Sequence, residues 1–175
     1  NERVLRPVAE GLAEEGTPFS GILYAGLMIT ENGPKVIEFN VRFGDPEAQV
    51  ILPRLENDLA EIFLAVTEKR LHEVKLSWQS GASVCVIAAA PGYPGPPTKG
   101  LPITLPEVHP AGTQIFHAGT AIQNEQLVTN GGRVFGIGAQ GADIAEARKQ
   151  AYSLLEKVQF HGKHFRRDIA AKALS

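Results

Sequence analysis

Hydrophobic residues recur with two different periods along the chain, and each period predicts its own kind of element. A helical period covers residues 4–12, and glycine and proline residues at 16–18 end that helix. Two apolar runs follow at residues 21–29 and 35–41. The Asn-Gly pair between them favours the positive φ angles of a tight turn. The first part of the chain is therefore predicted to be a helix followed by an antiparallel hairpin.

A second helix is predicted over residues 59–66, behind Asn57 and Asp58, either of which can cap its first turn. Further along, the chain changes to short β-rich runs separated by glycine and proline. The strands predicted there are residues 83–90, 114–117, 121–128 and 133–138. The last helix has the clearest apolar period and begins at Asp143, whose spacing from Glu146 resembles a capping box.

The change in pattern near residue 79 predicts two units of an α+β protein, residues 1–78 and residues 79–175. With 175 residues, 43% of them hydrophobic, the chain is long enough to bury a core. Its formal net charge is -2 and neither sign forms a long block, so no nucleic-acid or membrane partner is indicated. The single cysteine, Cys85, lies in an apolar run and is predicted to be a buried thiol.

Two potential metal ligands share one face of the second hairpin strand. Side chains alternate along a strand, so Glu38 and Asn40 point the same way, with Cα atoms about 7 Å apart. Magnesium prefers hard oxygen ligands and is often held by one or two protein groups together with substrate phosphates. An ordinary solvent-facing strand has the same pattern, and the spacing alone favours that interpretation.

The residues that follow this strand favour a functional interpretation. Loops that leave a rigid strand often carry functional groups, and residues 42–47 hold one guanidinium and two carboxylates. Arg42 can bind a carboxylate or an acyl phosphate through two hydrogen bonds, and Asp45 can accept hydrogen bonds from an amine. A surface salt bridge between Arg42 and Asp45 is the alternative.

Residues 24–28 and 36–47 resemble the glycinamide ribonucleotide synthetase family, also called phosphoribosylamine glycine ligase, of the ATP-grasp superfamily. The resemblance covers nearly the whole chain, with further similar segments at residues 92–95, 116–120, 129–134 and 167–169. It implies that residues 1–78 are the carboxyl-terminal part of an ATP-grasp domain. It also implies that residues 79–175 form a small antiparallel β domain with a packed helix.

The resemblance further implies a reaction and the residues that serve it. In the family, ATP activates glycine as glycyl phosphate, the amine of 5-phosphoribosylamine attacks it, and ADP and phosphate leave, as a step of purine biosynthesis. Glu38 and Asn40 match the family's last metal-binding strand, with Mg²⁺ or Mn²⁺ as the ion. Arg42, as a catalytic residue, and Asp45 match its substrate loop. Gly26 departs from many other ATP-grasp enzymes, which carry an acidic ligand on the preceding strand.

The family has parts that are expected to precede Asn1: the amino-terminal domain, the start of the ATP-grasp core and the glycine-rich phosphate lid. The chain also opens without Met, which is typical of a fragment. It is therefore expected to act together with that remainder and to be inactive by itself. The single cysteine, which allows no internal disulfide, fits a reducing cytoplasm, where the protein is expected to work.

A second glycine-rich loop, at residues 129–133, is a candidate phosphate site. Gly131 and Gly132 let backbone amides approach an anion closely, and Arg133 supplies a positive charge. By analogy with related ligases, this loop is assigned to the ribose phosphate of the substrate. Asn-Gly-Gly is equally typical of a hairpin turn, which is the alternative.

The glycines at residues 136–141 satisfy the dinucleotide-binding pattern, but the pattern's later strand with an acidic end, about 20 residues on, is missing. These glycines are therefore interpreted as strand packing and a turn. Besides the family's reaction, the sequence leaves open another ATP-grasp carboxylate-amine ligase or a noncatalytic nucleotide-binding module. A redox enzyme that uses residues 136–141 is a more distant alternative.

Overall fold

The computed structural model describes residues 1–174 and divides the chain into two compact units. The first unit consists of residues 1–48 and 55–78. The second consists of residues 49–54 and the chain from residue 79 onward. The sequence-based division places residues 49–54 in the first unit, whereas their contacts place them in the second.

The first unit contains two helices and an antiparallel hairpin. The elements are α1 (Leu5–Glu14), β1 (Tyr24–Thr30), β2 (Gly33–Asn40) and α3 (Leu59–Thr67). These elements confirm the helix, hairpin and helix that the periods predict. Of the two candidate caps of α3, the helix uses Asp58, whose carboxylate accepts a hydrogen bond of 2.8 Å from the amide of Ala60. Asn57 instead bonds to Lys75 and Ser77.

The second unit is built on a three-stranded antiparallel sheet. Its strands are β3 (Ala82–Ala89), β4 (Thr113–His117) and β7 (Arg133–Gly141), in the order β3-β7-β4. A separate two-stranded sheet pairs β5 (Thr120–Gln123) with β6 (Gln126–Thr129). Among the described residues from 79 to 174, one helix is longer than a single turn, α4 (Ile144–Lys157). The mixture of helices and antiparallel strands confirms the α+β fold class.

The predicted strand over residues 121–128 is wrong, because the chain reverses in its middle. Asn124 and Glu125 form a two-residue turn with φ angles of 49° and 63°, and β5 and β6 pair across it. Positive φ at both central residues is what a tight hairpin requires. No glycine marks this turn, so the sequence pattern does not reveal it.

The core of the second unit lies between the sheet and α4. Alternate residues of β3 and β7, among them Val84, Val86, Phe135 and Ile137, are buried against the helix. On the helix, Leu154 is among the largest side chains that are fully buried in this core. The apolar residues at every second position of the strands therefore pack against the apolar residues that recur every 3.6 positions along the helix, in one layer.

A capping box fixes the start of α4, as predicted. The Asp143 carboxylate accepts a hydrogen bond of 2.8 Å from the amide of Glu146, and the Glu146 carboxylate accepts one of 2.8 Å from the amide of Ala142. The first bond satisfies a backbone donor that the first turn leaves without a helical partner. The second differs from the usual box, because Glu146 bonds to the amide of the residue before the cap.

The opposite face of the sheet is shaped by glycines in β7, the central strand. A Cβ atom at Gly138 would lie 2.8 Å from the Phe116 ring, and one at Gly136 would lie 3.2 Å from the Cys85 sulfur. These glycines leave the space that Phe116 and the buried Cys85 fill. The packing role of these glycines is the one that the sequence predicts. Cys85 is buried, which confirms the prediction made for its thiol.

The segment at residues 49–54 contains two short helical turns. The first belongs to α2 (Ala48–Ile51), which begins one residue earlier, and the second is a 3-10 turn (Leu52–Arg54). The Gln140 side-chain amide donates a hydrogen bond of 2.7 Å to the carbonyl of Pro53. A Cβ atom at Gly138 would also lie 3.7 Å from the carbonyl oxygen of Gln49. The segment therefore packs with the second unit. Of the helices that the structure describes, none has the length and apolar character needed to span a membrane.

Replacing Leu154 by alanine is expected to lower the free energy of unfolding by about 2–5 kcal/mol, because it removes a fully buried side chain and leaves a cavity. Ser153→Ala, at the exposed neighbouring position, is the matched control and is expected to change it by no more than about 0.5 kcal/mol. Denaturant unfolding followed by circular dichroism measures both. Equal effects of the two substitutions would contradict the assignment of the core.

Candidate functional site

The two potential metal ligands of β2 lie side by side in the first unit. The Asn40 amide nitrogen donates a hydrogen bond of 3.1 Å to the Glu38 carboxylate. This bond confirms that the two side chains occupy the same face of the strand. The Asn40 carbonyl oxygen takes no part in this bond, because the amide donates through its nitrogen.

The register of the hairpin places a glycine across from Glu38. Gly26 pairs with Glu38, and Tyr24 pairs with Asn40, so all four residues lie on one face. A Cβ atom at Gly26 would lie 3.0 Å from Cγ of Glu38, which is tighter than ordinary contact. The bare backbone of Gly26 thus gives the Glu38 carboxylate its room.

The donor set at this face fits a hard divalent cation. It offers a carboxylate and an amide oxygen, which are groups that Mg²⁺ accepts, and Mg²⁺ usually completes its coordination with waters and substrate phosphates. Within residues 1–174 there is no group of three or more His, Cys, Asp and Glu side chains placed to hold a metal. Glu38 and Asn40 therefore suit a cation that is shared with a phosphate ligand, and not a closed site made only of protein groups.

The loop after β2 is held by its own side chains. The Arg42 guanidinium donates a hydrogen bond of 3.0 Å to the carbonyl of Phe43, and the amide of Gly44 donates one of 3.1 Å to the Glu47 carboxylate. A Cβ atom at Gly44 would overlap that carboxylate, so a larger residue would require the Glu47 side chain to move. Arg42 and Asp45 are both exposed, where a ligand can reach them.

Tyr24 was not singled out by the sequence as a member of this site. The pKa of the Tyr24 hydroxyl is raised, first through hydrogen bonding to the Glu47 carboxylate and then by burial and by the negative charges of Glu47 and Glu38. The hydroxyl therefore stays a donor at neutral pH. The signal that would have found Tyr24 is the hairpin register, which pairs it with Asn40.

The second candidate site, at residues 129–133, is not a hairpin turn. It joins β6 to β7, and these strands belong to different sheets. Two backbone hydrogen bonds connect the loop to Gly119. The Asn130 amide donates one of 2.7 Å to the Gly119 carbonyl, and the Gly119 amide donates one of 2.8 Å to the Arg133 carbonyl. The hairpin alternative is therefore wrong.

The glycines of this loop have a packing role. A Cβ atom at Gly131 would lie 3.0 Å from Cα of Gly119, and one at Gly132 would overlap the Tyr93 ring. Because both residues are glycine, the backbone just before Arg133, where β7 begins, carries no side chains. Such a stretch also lets an anion approach backbone amides.

The structure brings some of the predicted residues together within a unit. Glu38 and Asn40 are joined directly, and Arg42 and Asp45 lie in the loop that follows them in the first unit. The glycine loop at residues 131–133 belongs to the second unit. The residues around Glu38 are therefore positioned by the first unit, and the glycine loop is positioned by the second.

Two family descriptions match the chain. Residues 1–48 match "Phosphoribosylglycinamide synthetase, ATP-grasp (A) domain", and residues 83–172 match "Phosphoribosylglycinamide synthetase, C domain". The first range includes the hairpin and the loop after it, and the second includes the three-stranded sheet and α4.

Similar proteins carry names consistent with these matches. A phosphoribosylamine–glycine ligase of Caldanaerobacter subterraneus is 52% identical over 171 residues, which is 97% of this chain and 40% of that protein. The trifunctional purine biosynthetic protein adenosine-3 of Gallus gallus is 46% identical over 99% of this chain and 18% of that protein. This chain thus spans well under half the length of these curated relatives.

A solved structure agrees with the sequence matches. The crystal structure of phosphoribosylamine–glycine ligase from Thermotoga maritima superposes with a TM-score of 0.76 and 42% identity, over 92% of this chain and 40% of that one. Sequence and fold therefore lead to the same relatives, and the chain belongs to the phosphoribosylglycinamide synthetase family.

Proposed function

We propose that this chain supplies part of the active site of an ATP-dependent ligase that joins glycine to 5-phosphoribosylamine through glycyl phosphate, giving glycinamide ribonucleotide, ADP and phosphate. The observation that carries the proposal is the pairing of Glu38 with Asn40 on one face of β2, directly before the loop that holds Arg42 and Asp45. The names of the family and of its similar members agree with this chemistry. The proposal places the reaction in the cytoplasm and assigns residues 1–78 to the ATP-grasp domain and residues 79–175 to the β-rich domain.

Glu38 and Asn40 are proposed to hold Mg²⁺ or Mn²⁺ through one carboxylate oxygen and the amide oxygen. Bound there, the ion would neutralise charge on the transferring phosphoryl group of ATP. Gly26 supports this assignment because its missing side chain leaves the Glu38 carboxylate room to face a ligand. The two-residue donor set matches a cation that takes its other ligands from phosphates and water.

Arg42 is proposed to bind the glycine carboxylate and the acyl phosphate that it becomes, since a guanidinium can form two parallel hydrogen bonds to either group. Asp45 is proposed to accept hydrogen bonds from an amine of the substrates. These groups align the reacting atoms and form no covalent bond to the substrate. The exposure of Arg42 and Asp45 in the loop supports this role.

Gly131, Gly132 and Arg133 are proposed to bind the phosphate of 5-phosphoribosylamine. The side-chain-free backbone of the two glycines supports close approach by an anion, and Arg133 adds a positive charge at the start of β7. The packing role of the same glycines does not conflict with binding, because the loop is held in place by contacts to Gly119 and Tyr93.

Glu38→Gln in the full-length polypeptide is expected to lower turnover at least about 100-fold and to raise the Mg²⁺ concentration needed for half-maximal rate. Glutamine keeps the shape of the side chain and removes its charge. Initial rates at a series of Mg²⁺ concentrations, together with a thermal melt, measure the effect. Glu31→Gln, at the exposed hairpin turn, is the matched control and should change neither quantity. Near-normal turnover and an unchanged Mg²⁺ dependence in Glu38→Gln would contradict the assignment of Glu38 as a metal ligand.

Gly26→Ala is expected to weaken Mn²⁺ binding to the full-length polypeptide, because the added methyl group would crowd Cγ of Glu38 at 3.0 Å. Titration of Mn²⁺ followed by electron paramagnetic resonance measures the affinity, with a loss of at least about tenfold expected. Gly11→Ala is the control, because nothing lies within 4 Å of its new methyl group. In α1 it is expected to stabilise the helix by about 0.5–1 kcal/mol and to leave Mn²⁺ binding alone. Equal Mn²⁺ affinity in the two variants would argue against the role of Gly26.

Arg133→Ala in the full-length polypeptide is expected to raise the KM for 5-phosphoribosylamine roughly 10- to 150-fold, which corresponds to losing one charged hydrogen bond to phosphate. The KM values for ATP and glycine should change far less. Lys149→Ala, which removes an exposed positive charge from α4, is the control. Steady-state kinetics with each substrate varied in turn give the three constants. An equal rise in all three would point to a structural role of Arg133 in β7.

A further inference from the structure

The aromatic ring of Tyr93 lies directly against the glycine loop at residues 131–133. A Cβ atom at Gly132 would overlap this ring and would lie 3.0 Å from its Cε2 atom and 3.2 Å from its Cγ atom. The ring thus occupies the place that a side chain at Gly132 would take. Tyr93 nevertheless keeps 40% of its surface exposed. One part of the side chain is therefore covered by the loop, and another part is open to a bound molecule.

The segment that carries Tyr93 is joined to the same loop through its backbone. The Ala90 amide donates a hydrogen bond of 2.8 Å to the Gly132 carbonyl, and the Tyr93 amide donates one of 3.2 Å to the Ala90 carbonyl. A third bond, of 2.8 Å from the Thr98 amide to the Pro91 carbonyl, closes the segment on itself. The fold therefore sets the position of the ring beside Gly132 without the help of a ligand.

The loop offers backbone donors next to the ring. Among residues 1–174, neither the Gly131 amide nor the Gly132 amide has a hydrogen-bond acceptor, whereas the Asn130 amide donates to the Gly119 carbonyl. Successive backbone amides of this kind can bind a phosphate. A phosphate bound at the Gly132 amide lies close to the Tyr93 ring, because the ring packs on the α-carbon of the same residue.

The group attached to such a phosphate would meet the exposed part of the ring. A pentose carries hydroxyl groups and apolar C–H faces. Binding sites commonly combine a few polar groups, which fix the orientation of the ligand, with aromatic walls that cover its apolar surface. Tyrosine suits such a wall, because its large ring loses little conformational freedom on binding. A small phosphate ion gains nothing from this ring, whereas a pentose phosphate does.

We infer that Tyr93 is a specificity-determining residue that packs against the pentose of the sugar-phosphate substrate, while Gly131, Gly132 and Arg133 hold its phosphate. The inference rests on the proposed function, because it takes the assignment of this loop to 5-phosphoribosylamine as given. It adds the group that distinguishes a pentose phosphate from other phosphate monoesters. Tyr93 contacts the sugar and takes no part in phosphoryl transfer.

The test compares two phosphate monoesters, ribose 5-phosphate and methyl phosphate, which share the charged group and differ in the pentose. Calorimetric titration of the full-length polypeptide is expected to show that ribose 5-phosphate binds at least about fivefold more tightly. Tyr93→Ala should remove this preference and change the affinity for methyl phosphate by less than about twofold. Tyr93→Phe, which keeps the ring, should retain the preference. Ile122→Ala, which shortens an exposed apolar side chain of β5, is the control and should leave both affinities unchanged.

The affinity for methyl phosphate distinguishes a sugar contact from a packing role. Loss of the preference in Tyr93→Ala alone supports the inference. If Tyr93→Ala weakens the binding of both esters equally, the ring only supports Gly132 and the inference is wrong. It is also wrong if the parent protein shows no preference between the esters. Equal loss of the preference in Tyr93→Phe and Tyr93→Ala overturns it as well, because the hydroxyl and not the ring would then be responsible.

A thermal melt of each variant checks the fold. If Tyr93→Ala does not fold, Tyr93→Leu, which keeps an apolar contact with Gly132 and removes the aromatic face, takes its place with the same expectations.

The titrations require no turnover, so the inference and the proposed function can fail separately. If the parent protein makes no glycinamide ribonucleotide, the proposed ligation fails, and the titrations still decide whether Tyr93 contacts the pentose of a sugar phosphate. If the parent protein is active and Tyr93→Ala leaves the KM for 5-phosphoribosylamine unchanged, the inference fails and the proposed function stands.

Discussion

The register of β1 against β2 determines which side chains meet at the candidate site. In an antiparallel pair, residues directly across from each other lie on the same face. One register therefore places Tyr24, Gly26, Glu38 and Asn40 together. A slip of one residue would send the β2 pair to the face opposite Tyr24 and Gly26. The meeting of the proposed metal ligands, the space beside them and the position of Tyr24 opposite Asn40 all follow from this pairing.

A second constraint is the close approach of backbone segments in the second unit. Gly131 meets Gly119, and Gly136 and Gly138 make room for Cys85 and Phe116. Each of these glycines is required by a neighbour that is distant in sequence. The same lack of side chains that serves packing at Gly131 also makes the loop suitable for an anion. Packing and binding therefore place compatible demands on these positions.

Local periodicity carried much of the prediction. The alternation along β2 predicts that Glu38 and Asn40 share a face, and the spacing of Asp143 and Glu146 predicts the start of α4. What the sequence did not reveal depends on contacts that no local period encodes. The turn at Asn124 has no glycine, and the hydrogen bond from Gln140 to Pro53 joins residues that are far apart in the sequence. The roles of the site residues remain predictions, because their ligands are not part of the chain.

The segment at residues 49–54 means that the second unit is not encoded by one continuous stretch of the gene. A chimera that exchanged only the sequence from residue 79 onward with that of a relative would combine the sheet of one protein with the packed segment of another. Gln140 would then need the acceptor at Pro53 from a foreign partner. Recombination between members of the family would therefore preserve this unit best when both stretches are inherited together.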